Sequence, residues 1–249
     1  MSNSDAGEQL HHLLWERGLQ FLGGQTASQS HEITNVLNII NELVGLQEDL
    51  LWALSQGRDV DPSRFDEILG KIKAQIERGN RIVRAVNQFA HSADHARSVF
   101  DLKGALERIT FIAQRAATLG RTQLDTEFPD ETLVMENNPL YLQQAVFTAF
   151  EIALAASTVQ RRITVSYTLQ DDGVEIVVDS ADPMASHAEA GEKLVFLGHL
   201  LRALGARLTT TIDEEGGQPH RLAMYFPRYV DEADAPGAAG AEPTEGAAE

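Results

Sequence analysis

The chain has 249 residues, of which 43% are hydrophobic, so it is long enough for one large or two small soluble domains. It contains no cysteine, which excludes disulfides, thiolate catalysis and cysteine-ligated zinc. Its 37 acidic and 20 basic side chains give a formal charge of −17, which argues against sequence-independent binding to nucleic acid. Because neither a signal-peptide pattern nor a bilayer-length apolar run is present, we expect a cytoplasmic protein with no membrane partner.

The first clear element is an amphipathic helix, preceded by residues 1–18, which the pattern indicates are a short lead-in. Its heptad consists of Ile33, Leu37, Ile40, Val44, Gln47, Leu51 and Leu54, of which only Gln47 is not apolar. This spacing is typical of a helix packed along a coiled-coil-like seam. We place Ile33 at heptad position d. His31, Glu32 and Asn35 then occupy positions b, c and f, so we expect these three side chains to point away from the seam.

A second heptad follows a break at residues 55–63, where Pro62 and a cap at Asp61 or Ser63 predict the start of a helix. Its positions are Phe65, Leu69, Ile72, Ile76, Gly79, Val83, Val86 and Ala90. Two amphipathic helices joined by a short loop predict an antiparallel helical hairpin. Because their combined apolar stripe is too wide for one partner helix to cover, we expect a homodimer in which two hairpins form a four-helix bundle.

A different kind of sequence begins near Asp101 and predicts an α/β domain. Helices are predicted over 101–119, from Pro139 to about residue 157, and over 191–205, and strands over 122–128, 132–136, 162–170, 173–180, 206–212 and 220–226. This order predicts an α/β sandwich with helices on one face of an antiparallel sheet.

Four segments are therefore expected along the chain. They are a lead-in over 1–18, the helical hairpin over 19–97, the α/β domain over 98–230 and a tail over 231–249. The tail holds six acidic side chains and no basic one, so we expect it to be disordered.

The polar cluster of the first helix resembles a known phosphoacceptor motif. The family of two-component sensor histidine kinases has the pattern H-E-[IL]-x-[NT]-P-L, and this stretch is similar to it: His31-Glu32-Ile33-Thr34-Asn35-Val36-Leu37. Val36 stands at the position where that family usually has proline. A hairpin followed by an α/β domain, over residues 20–228, resembles the catalytic body of that family. The resemblance implies that His31 accepts a phosphoryl group and that the second domain has the fold of the histidine-kinase ATPase.

The residue types in this cluster suit phosphoryl transfer. An imidazole attacks phosphorus through an unprotonated nitrogen, and a neighbouring carboxylate such as Glu32 can hold the opposite N–H and stabilise developing positive charge. In the reverse direction, an amide such as Asn35 can orient water against an aspartyl phosphate. We predict His31, Glu32 and Asn35 as the catalytic residues, and Glu32-x-x-Asn35 resembles the phosphatase motif of the family.

The nucleotide motifs of the family are degraded in this chain. In the N-x-x-x-N box the two asparagines become Thr148 and Ile152, and isoleucine offers no oxygen ligand to magnesium. The D-x-G-x-G motif becomes Asp179-Ser180-Ala181-Asp182-Pro183, which leaves Asp179 as the candidate cofactor-binding residue, for an adenine contact. We therefore expect a degenerate ATPase-like domain with no cofactor and no metal site.

Three functions remain open on the sequence. The first is a histidine phosphotransferase or phosphatase that exchanges phosphoryl groups between His31 and the aspartate of a response-regulator receiver domain, without ATP-dependent autokinase activity. The second is an active cytosolic sensor histidine kinase that binds Mg-ATP through divergent contacts. The third is a non-catalytic scaffold that binds a receiver domain.

Overall fold

The computed structural model describes residues 3–155, 161–181, 184, 187–212 and 219–227. The helices in these ranges are α1 (Asn3–Ser55), α2 (Ser63–His91), α3 (Leu102–Leu119), α4 (Pro139–Ala155) and α5 (His187–Ala203). The strands are β1 (Ser98–Asp101), β2 (Thr122–Glu127), β3 (Val134–Asn137), β4 (Arg161–Gln170), β5 (Gly173–Ser180), β6 (Arg207–Ile212) and β7 (Pro219–Pro227). The predicted disordered tail over 231–249 lies outside the described residues.

The chain divides into two compact units. The hairpin unit is Phe21–His91, and the α/β unit combines Met1–Gln20 with Ser92–Glu249. The predicted lead-in is helical from Asn3 onwards and belongs to the 53-residue helix α1, which continues from one unit into the other.

The hairpin unit consists of two antiparallel helices, as the sequence predicts. The rings of Phe21 and Phe89 meet edge to face with their centroids 5.4 Å apart, which pairs the start of this part of α1 with the end of α2. At the start of α2, Oδ1 of Asp61 accepts a hydrogen bond of 2.9 Å from the backbone N–H of Ser63. This bond lowers the pKa of the Asp61 carboxyl. Asp61 is therefore the cap of α2.

The two helices bury a different heptad from the predicted one. Within the hairpin unit, the residues that are 6% exposed or less are Gln29, Val36 and Leu50 in α1, and Ile68, Ile82 and Phe89 in α2. They recur at multiples of seven residues, so they form the contact within the hairpin. The predicted heptad from Ile33 to Leu54 is therefore not the set that packs within the hairpin, because both helices are apolar over an arc wider than one seam and periodicity alone does not select the inner edge.

Part of the predicted heptads remains on the surface of the hairpin. Six residues, spaced by seven along each helix and 41% to 56% exposed, form what we call the exposed stripe: Leu37, Val44, Leu51, Leu69, Ile76 and Val83. Each lies one residue after a position of the buried heptad. Because the helices are antiparallel, the same offset of about 100° turns both halves of the stripe to the same side of the hairpin.

Val36 and Gly79 set the close approach of α1 and α2. Val36 is 2% exposed. A Cβ atom added to Gly79 would lie 3.3 Å from Cγ1 of Val36, so only glycine leaves full room for this valine. A packed valine thus occupies the motif position where the resembling family has proline.

We expect Val36→Pro to lower the free energy of unfolding by more than about 3 kcal/mol, because proline removes a helical hydrogen bond, clashes with the preceding turn and empties the contact with Gly79. Val36→Ala, which removes the side chain alone, should cost about 1–2 kcal/mol. Urea unfolding followed by circular dichroism measures both. Equal stability of the two variants would show that the backbone of α1 tolerates proline at residue 36, and would contradict this prediction.

The α/β unit contains a five-stranded sheet in the order β2-β4-β5-β7-β6. Contacts from α3, α4 and α5 reach β2, β5 and β6 respectively, and the three helices also pack against one another. Strand side chains facing this helical layer are almost fully buried: Ile163, Val165, Tyr167, Val174, Ile176, Val178, Leu222, Met224 and Phe226. The predicted α/β sandwich is confirmed.

Two details of the sheet differ from the prediction. The strands β2 and β4 pair in parallel, so the sheet is mixed and not antiparallel; the connection through β3 and α4 is long enough for such a crossover. The four-residue strand β1, which pairs antiparallel with β3, was not predicted because it is too short to show alternation. Within the described residues, no helix combines the length and the apolarity that crossing a membrane requires.

Candidate functional site

His31 and Asn35 lie one helical turn apart on the exposed surface of α1. The helix is regular here, and the hydroxyl of Thr34 donates a 3.0 Å hydrogen bond to the backbone carbonyl of Ser30. Residues four apart on a helix are neighbours on one face, so the imidazole of His31 and the amide of Asn35 lie on the same face of α1. The structure thus brings these two predicted site residues together, and their catalytic roles stay predictions.

Glu32 has a different environment from the one predicted. Its carboxylate forms an ion pair with the guanidinium of Arg78 on α2, and its side chain is 17% exposed against 41% for Arg78. Glu32 follows the buried Gln29 by three residues, which places it at the edge of the hairpin contact. The prediction that Glu32 points away from the seam is therefore wrong. The ion pair restrains a carboxylate next in sequence to His31.

Arg78 is the residue of this site that the sequence did not reveal. Its partner follows from the register of two antiparallel helices, in which Phe21 faces Phe89 and Glu32 faces Arg78. The sequence signal is a basic residue immediately before Gly79, the small residue of the second heptad. Without the register of the hairpin, that arginine resembles any other charged residue on an exposed face.

The site and the exposed stripe occupy different sides of the hairpin. Relative to the buried heptad, the stripe lies one residue later, whereas His31 lies two residues after Gln29 and Asn35 one residue before Val36. At 100° per residue, these offsets place the stripe about 100° and about 160° from His31 and Asn35 respectively. A partner that covers the stripe therefore leaves the imidazole and the amide open to a second partner.

The positions that resemble the magnesium-binding box are closed. Ile152 is 0% exposed within α4. Thr148 is 5% exposed, and its hydroxyl donates a 2.8 Å hydrogen bond to the backbone carbonyl of Gln144. The first position therefore offers a hydroxyl already bound to its own helix, and the second offers packed hydrocarbon. Neither residue fits the ligand set of a hard cation.

Asp179 lies apart from these two positions. It is paired in register with Thr164 on β4 and Arg221 on β7. Its strand neighbours Val178 and Ser180 are 0% and 3% exposed and face the helical layer. Because side chains alternate along a strand, Asp179 faces the opposite side of the sheet from α4. The structure does not bring it together with Thr148 and Ile152.

The connection after Asp179 is short. The strand β5 ends at Ser180 and α5 begins at His187, so residues 181–186 alone join them. The two glycines of the motif are replaced by Ala181 and Pro183, and the second of these lies outside the described residues.

Replacing Ile152 by asparagine tests whether packing around this residue prevents magnesium-dependent binding of ATP. We expect Ile152→Asn to lower the free energy of unfolding by about 3 kcal/mol, since it buries an amide among apolar side chains. We also expect it to create no magnesium-dependent ATP binding in calorimetry. The control is Ile152→Val, which should cost about 1 kcal/mol. Micromolar ATP binding by Ile152→Asn would show that one side chain alone had closed the site.

The order of parts defines a two-unit protein: a helical hairpin with an exposed histidine, joined to a mixed α/β sandwich whose nucleotide positions are packed. No protein-family model matches the chain, and no curated protein matches it. Solved structures to which it is similar include histidine kinases.

Three of these similarities illustrate their extent. The histidine kinase AdeS of Acinetobacter baumannii has a TM-score of 0.44 and 11% identity, over 80% of this chain and 98% of that one. The mycobacterial sensor histidine kinase MprB has a TM-score of 0.44 and 14% identity, over 53% of this chain and 97% of that one. The histidine kinase ThkA, in complex with the response regulator TrrA, has a TM-score of 0.45 and 16% identity, over 89% of this chain and 67% of that one.

Proposed function

We propose that this chain is a dimeric histidine phosphotransferase or phosphatase of two-component signalling, without ATP-dependent autokinase activity. Its substrate is the phosphorylated aspartate of a response-regulator receiver domain, and its acceptor is His31. One contrast carries the proposal. The phosphoacceptor motif presents an exposed imidazole, while the position of the second magnesium-binding asparagine holds Ile152, which is 0% exposed.

The transfer step requires only groups that this chain and its partner supply. An unprotonated nitrogen of His31 attacks the phosphorus of the aspartyl phosphate, an N–P bond forms, and the P–O bond to the aspartate breaks. The electron pair of that bond leaves with the aspartate carboxylate. The imidazole ring gains positive charge, which the carboxylate of Glu32 stabilises from the adjacent position. The return of the phosphoryl group to an aspartate reverses each of these steps.

The Glu32–Arg78 ion pair supports this role in two ways. It restrains the rotamer of a carboxylate next to the acceptor, which reduces the conformational entropy lost when the transition state forms. It also holds this carboxylate at a partly exposed position, next in sequence to the imidazole on which positive charge develops. Asn35 lies on the same face as His31, and in this proposal its amide orients water in the phosphatase reaction.

The exposed stripe supports the proposed dimer. Six large apolar side chains in heptad register, each at least 41% exposed, form a continuous surface of the kind that monomeric proteins seldom leave in water. A second hairpin related by a two-fold axis covers each stripe with an identical one and completes a four-helix bundle. His31 and Asn35 remain outside this interface, where a receiver domain can reach them.

Two phosphoryl donors separate this proposal from the other functions. The protein is incubated with ATP labelled at the γ-phosphate and magnesium, and in parallel with a set of receiver domains labelled by acetyl phosphate. We expect no label from ATP and an acid-labile label from at least one receiver. Acid-labile label from ATP would establish an active kinase and overturn the proposal. Binding to a receiver with no transfer and no faster loss of its phosphate would establish a scaffold.

A further inference from the structure

The α/β unit contains a cleft that the phosphoryl chemistry does not use. Its volume is about 650 Å³, which lies in the range of sites for small organic ligands. The walls come from the first turns of α1, the segment after α2, the start of α4 and the end of α5. The lining includes Leu10, Leu14, Trp15, Ala96, Arg97 and Arg202.

Contacts between α1 and α4 hold the wall of this cleft in place. Leu14 is 3% exposed. The amide nitrogen of Gln144 donates a 3.1 Å hydrogen bond to the backbone carbonyl of Arg17. A Cβ atom on Gly18 would lie 3.7 Å from the side chains of Leu140 and Tyr141, so the two helices are in van der Waals contact here. The cleft is therefore built into the packing of the unit.

The charge of the lining is unusual for this chain. Acidic residues outnumber basic ones by 37 to 20 over the sequence, yet none of the described residues that line the cleft is an aspartate or a glutamate. Arg97 and Arg202 line the cleft, together with His11 and His95. Arg97 is partly neutralised by an ion pair of 3.1 Å with Glu136. The guanidinium of Arg202 has no ion pair within the part of the chain that the structure describes.

The start of α4 adds to the attraction for negative charge. Asn138 caps this helix, and its side-chain oxygen accepts a 2.9 Å hydrogen bond from the backbone N–H of Tyr141. Asn138, Leu140 and Tyr141 line the cleft, so the positive end of the helix dipole lies in its wall. The lining also includes the apolar side chains of Leu10 and Leu14 and the indole of Trp15.

We propose that this cleft binds a small organic acid, with its anionic group near Arg202 and its apolar body against Leu10, Leu14 and Trp15. The size and the apolar wall select a body of aromatic or branched aliphatic carbon, and the absence of acidic residues in the lining selects an anion over a neutral or cationic ligand. The ligand contacts the first turns of α1, the same continuous helix that carries His31.

This cleft is separate from the degraded nucleotide positions. It lies at the first turn of α4 and the last turn of α5, whereas Thr148 and Ile152 lie in the second half of α4. Lys193, near the start of α5, is 3.3 Å from Glu151, near the end of α4, so these two helices are antiparallel. The cleft and the nucleotide positions are thus at opposite ends of the helical layer, and the proposal does not depend on the activity of His31.

Two fluorescent probes that differ by one charged group test the preference for anions. The first is 1-anilinonaphthalene-8-sulfonate, and the second is N-phenyl-1-naphthylamine, which lacks the sulfonate. Each is titrated into the protein, and binding is followed by fluorescence. We expect saturable binding of the sulfonate at one site per chain, and weaker binding of the neutral probe. Tighter binding of the neutral probe would overturn the proposal.

Three variants locate the binding. Arg202→Gln should weaken the sulfonate about fivefold, because one partly solvated charge-assisted contact is lost, and should leave the neutral probe unchanged. Ala96→Trp, which fills the cleft from an exposed position, should abolish the saturable binding of both probes. Arg84→Gln, on an exposed position of α2, should change neither. Sulfonate binding that survives both Arg202→Gln and Ala96→Trp would refute the site, and circular dichroism confirms that each variant is folded.

Discussion

Replacement of His31 by alanine is expected to abolish the acid-labile label that the protein takes from a phosphorylated receiver domain. In the proposed transfer, the imidazole nitrogen of His31 is the atom that forms the N–P bond. Because the side chain is exposed, its removal leaves the core of the hairpin intact. The stability of the variant should therefore stay within about 0.5 kcal/mol of the original protein.

The matched control for this experiment is His12→Ala. His12 is also an exposed histidine on α1, so the substitution changes the same chemical group at a position outside the motif. We expect it to accept label at the original rate. Label that persists in His31→Ala, or that disappears equally in His12→Ala, would show that another residue is the acceptor.

Asn35→Ala separates the two activities of the proposed site. The side-chain amide of Asn35 lies on the same face as His31, but the proposed transfer forms no bond between this amide and phosphorus. We expect this variant to accept label from the receiver, and to lose roughly 10- to 100-fold of the rate at which it hydrolyses the aspartyl phosphate, since positioning of water contributes on this scale. Loss of labelling in Asn35→Ala would indicate that the amide binds the receiver instead.

Much of the fold could be predicted because its elements carry strong local patterns. The alternation around the turn at residues 171–172 predicted β4 and β5 close to their observed bounds, and the heptad of α2 predicted a helix that spans Ser63–His91. Gly205, predicted as the end of α5, has a φ of 65°, a conformation that glycine adopts without strain. In each case the information lies within a few consecutive residues.

The inner face of the hairpin could not be predicted in the same way. Both Val36 and Leu37 are apolar, and the periodicity of α1 fits either one as the inner position. The choice depends on the register against α2, where Gly79 makes room for Val36. This contact also determines that Glu32 meets Arg78 and does not face solvent. Register is a property of two segments together, so one segment's pattern does not contain it.

The candidate site was predictable to the extent that it is local. The exposure of His31 and Asn35 follows from their spacing on one helix, and the loss of magnesium ligands follows from the residue types at Thr148 and Ile152. The separation of Asp179 from those two residues required the strand register. The cleft is formed by four segments that are distant in sequence, between residue 7 and residue 203, so no local pattern predicts it.

Charged substitutions in the exposed stripe are expected to dissociate the proposed dimer. Val44→Glu and Ile76→Glu each place a carboxylate on the apolar surface that two hairpins bury together, and the two-fold axis places each change in the interface twice. Burial of an unpaired charge costs several kcal/mol, so the dissociation constant should rise by about a thousandfold or more. Sedimentation equilibrium over a range of concentrations measures this change.

Leu46→Glu is the matched control for the stripe. Leu46 is 42% exposed, close to the 41% of Val44, but it lies at the heptad position of Glu32, on the far side of the hairpin from the stripe. The same substitution there should leave the dimer intact, so a difference between the two variants isolates the interface from any general effect of an added acid. A monomeric original protein, or equal dissociation of Val44→Glu and Leu46→Glu, would contradict the four-helix bundle. Dissociation restricted to Val44→Glu and Ile76→Glu would place the interface on the stripe, about 100° around α1 from His31, and would leave His31 exposed.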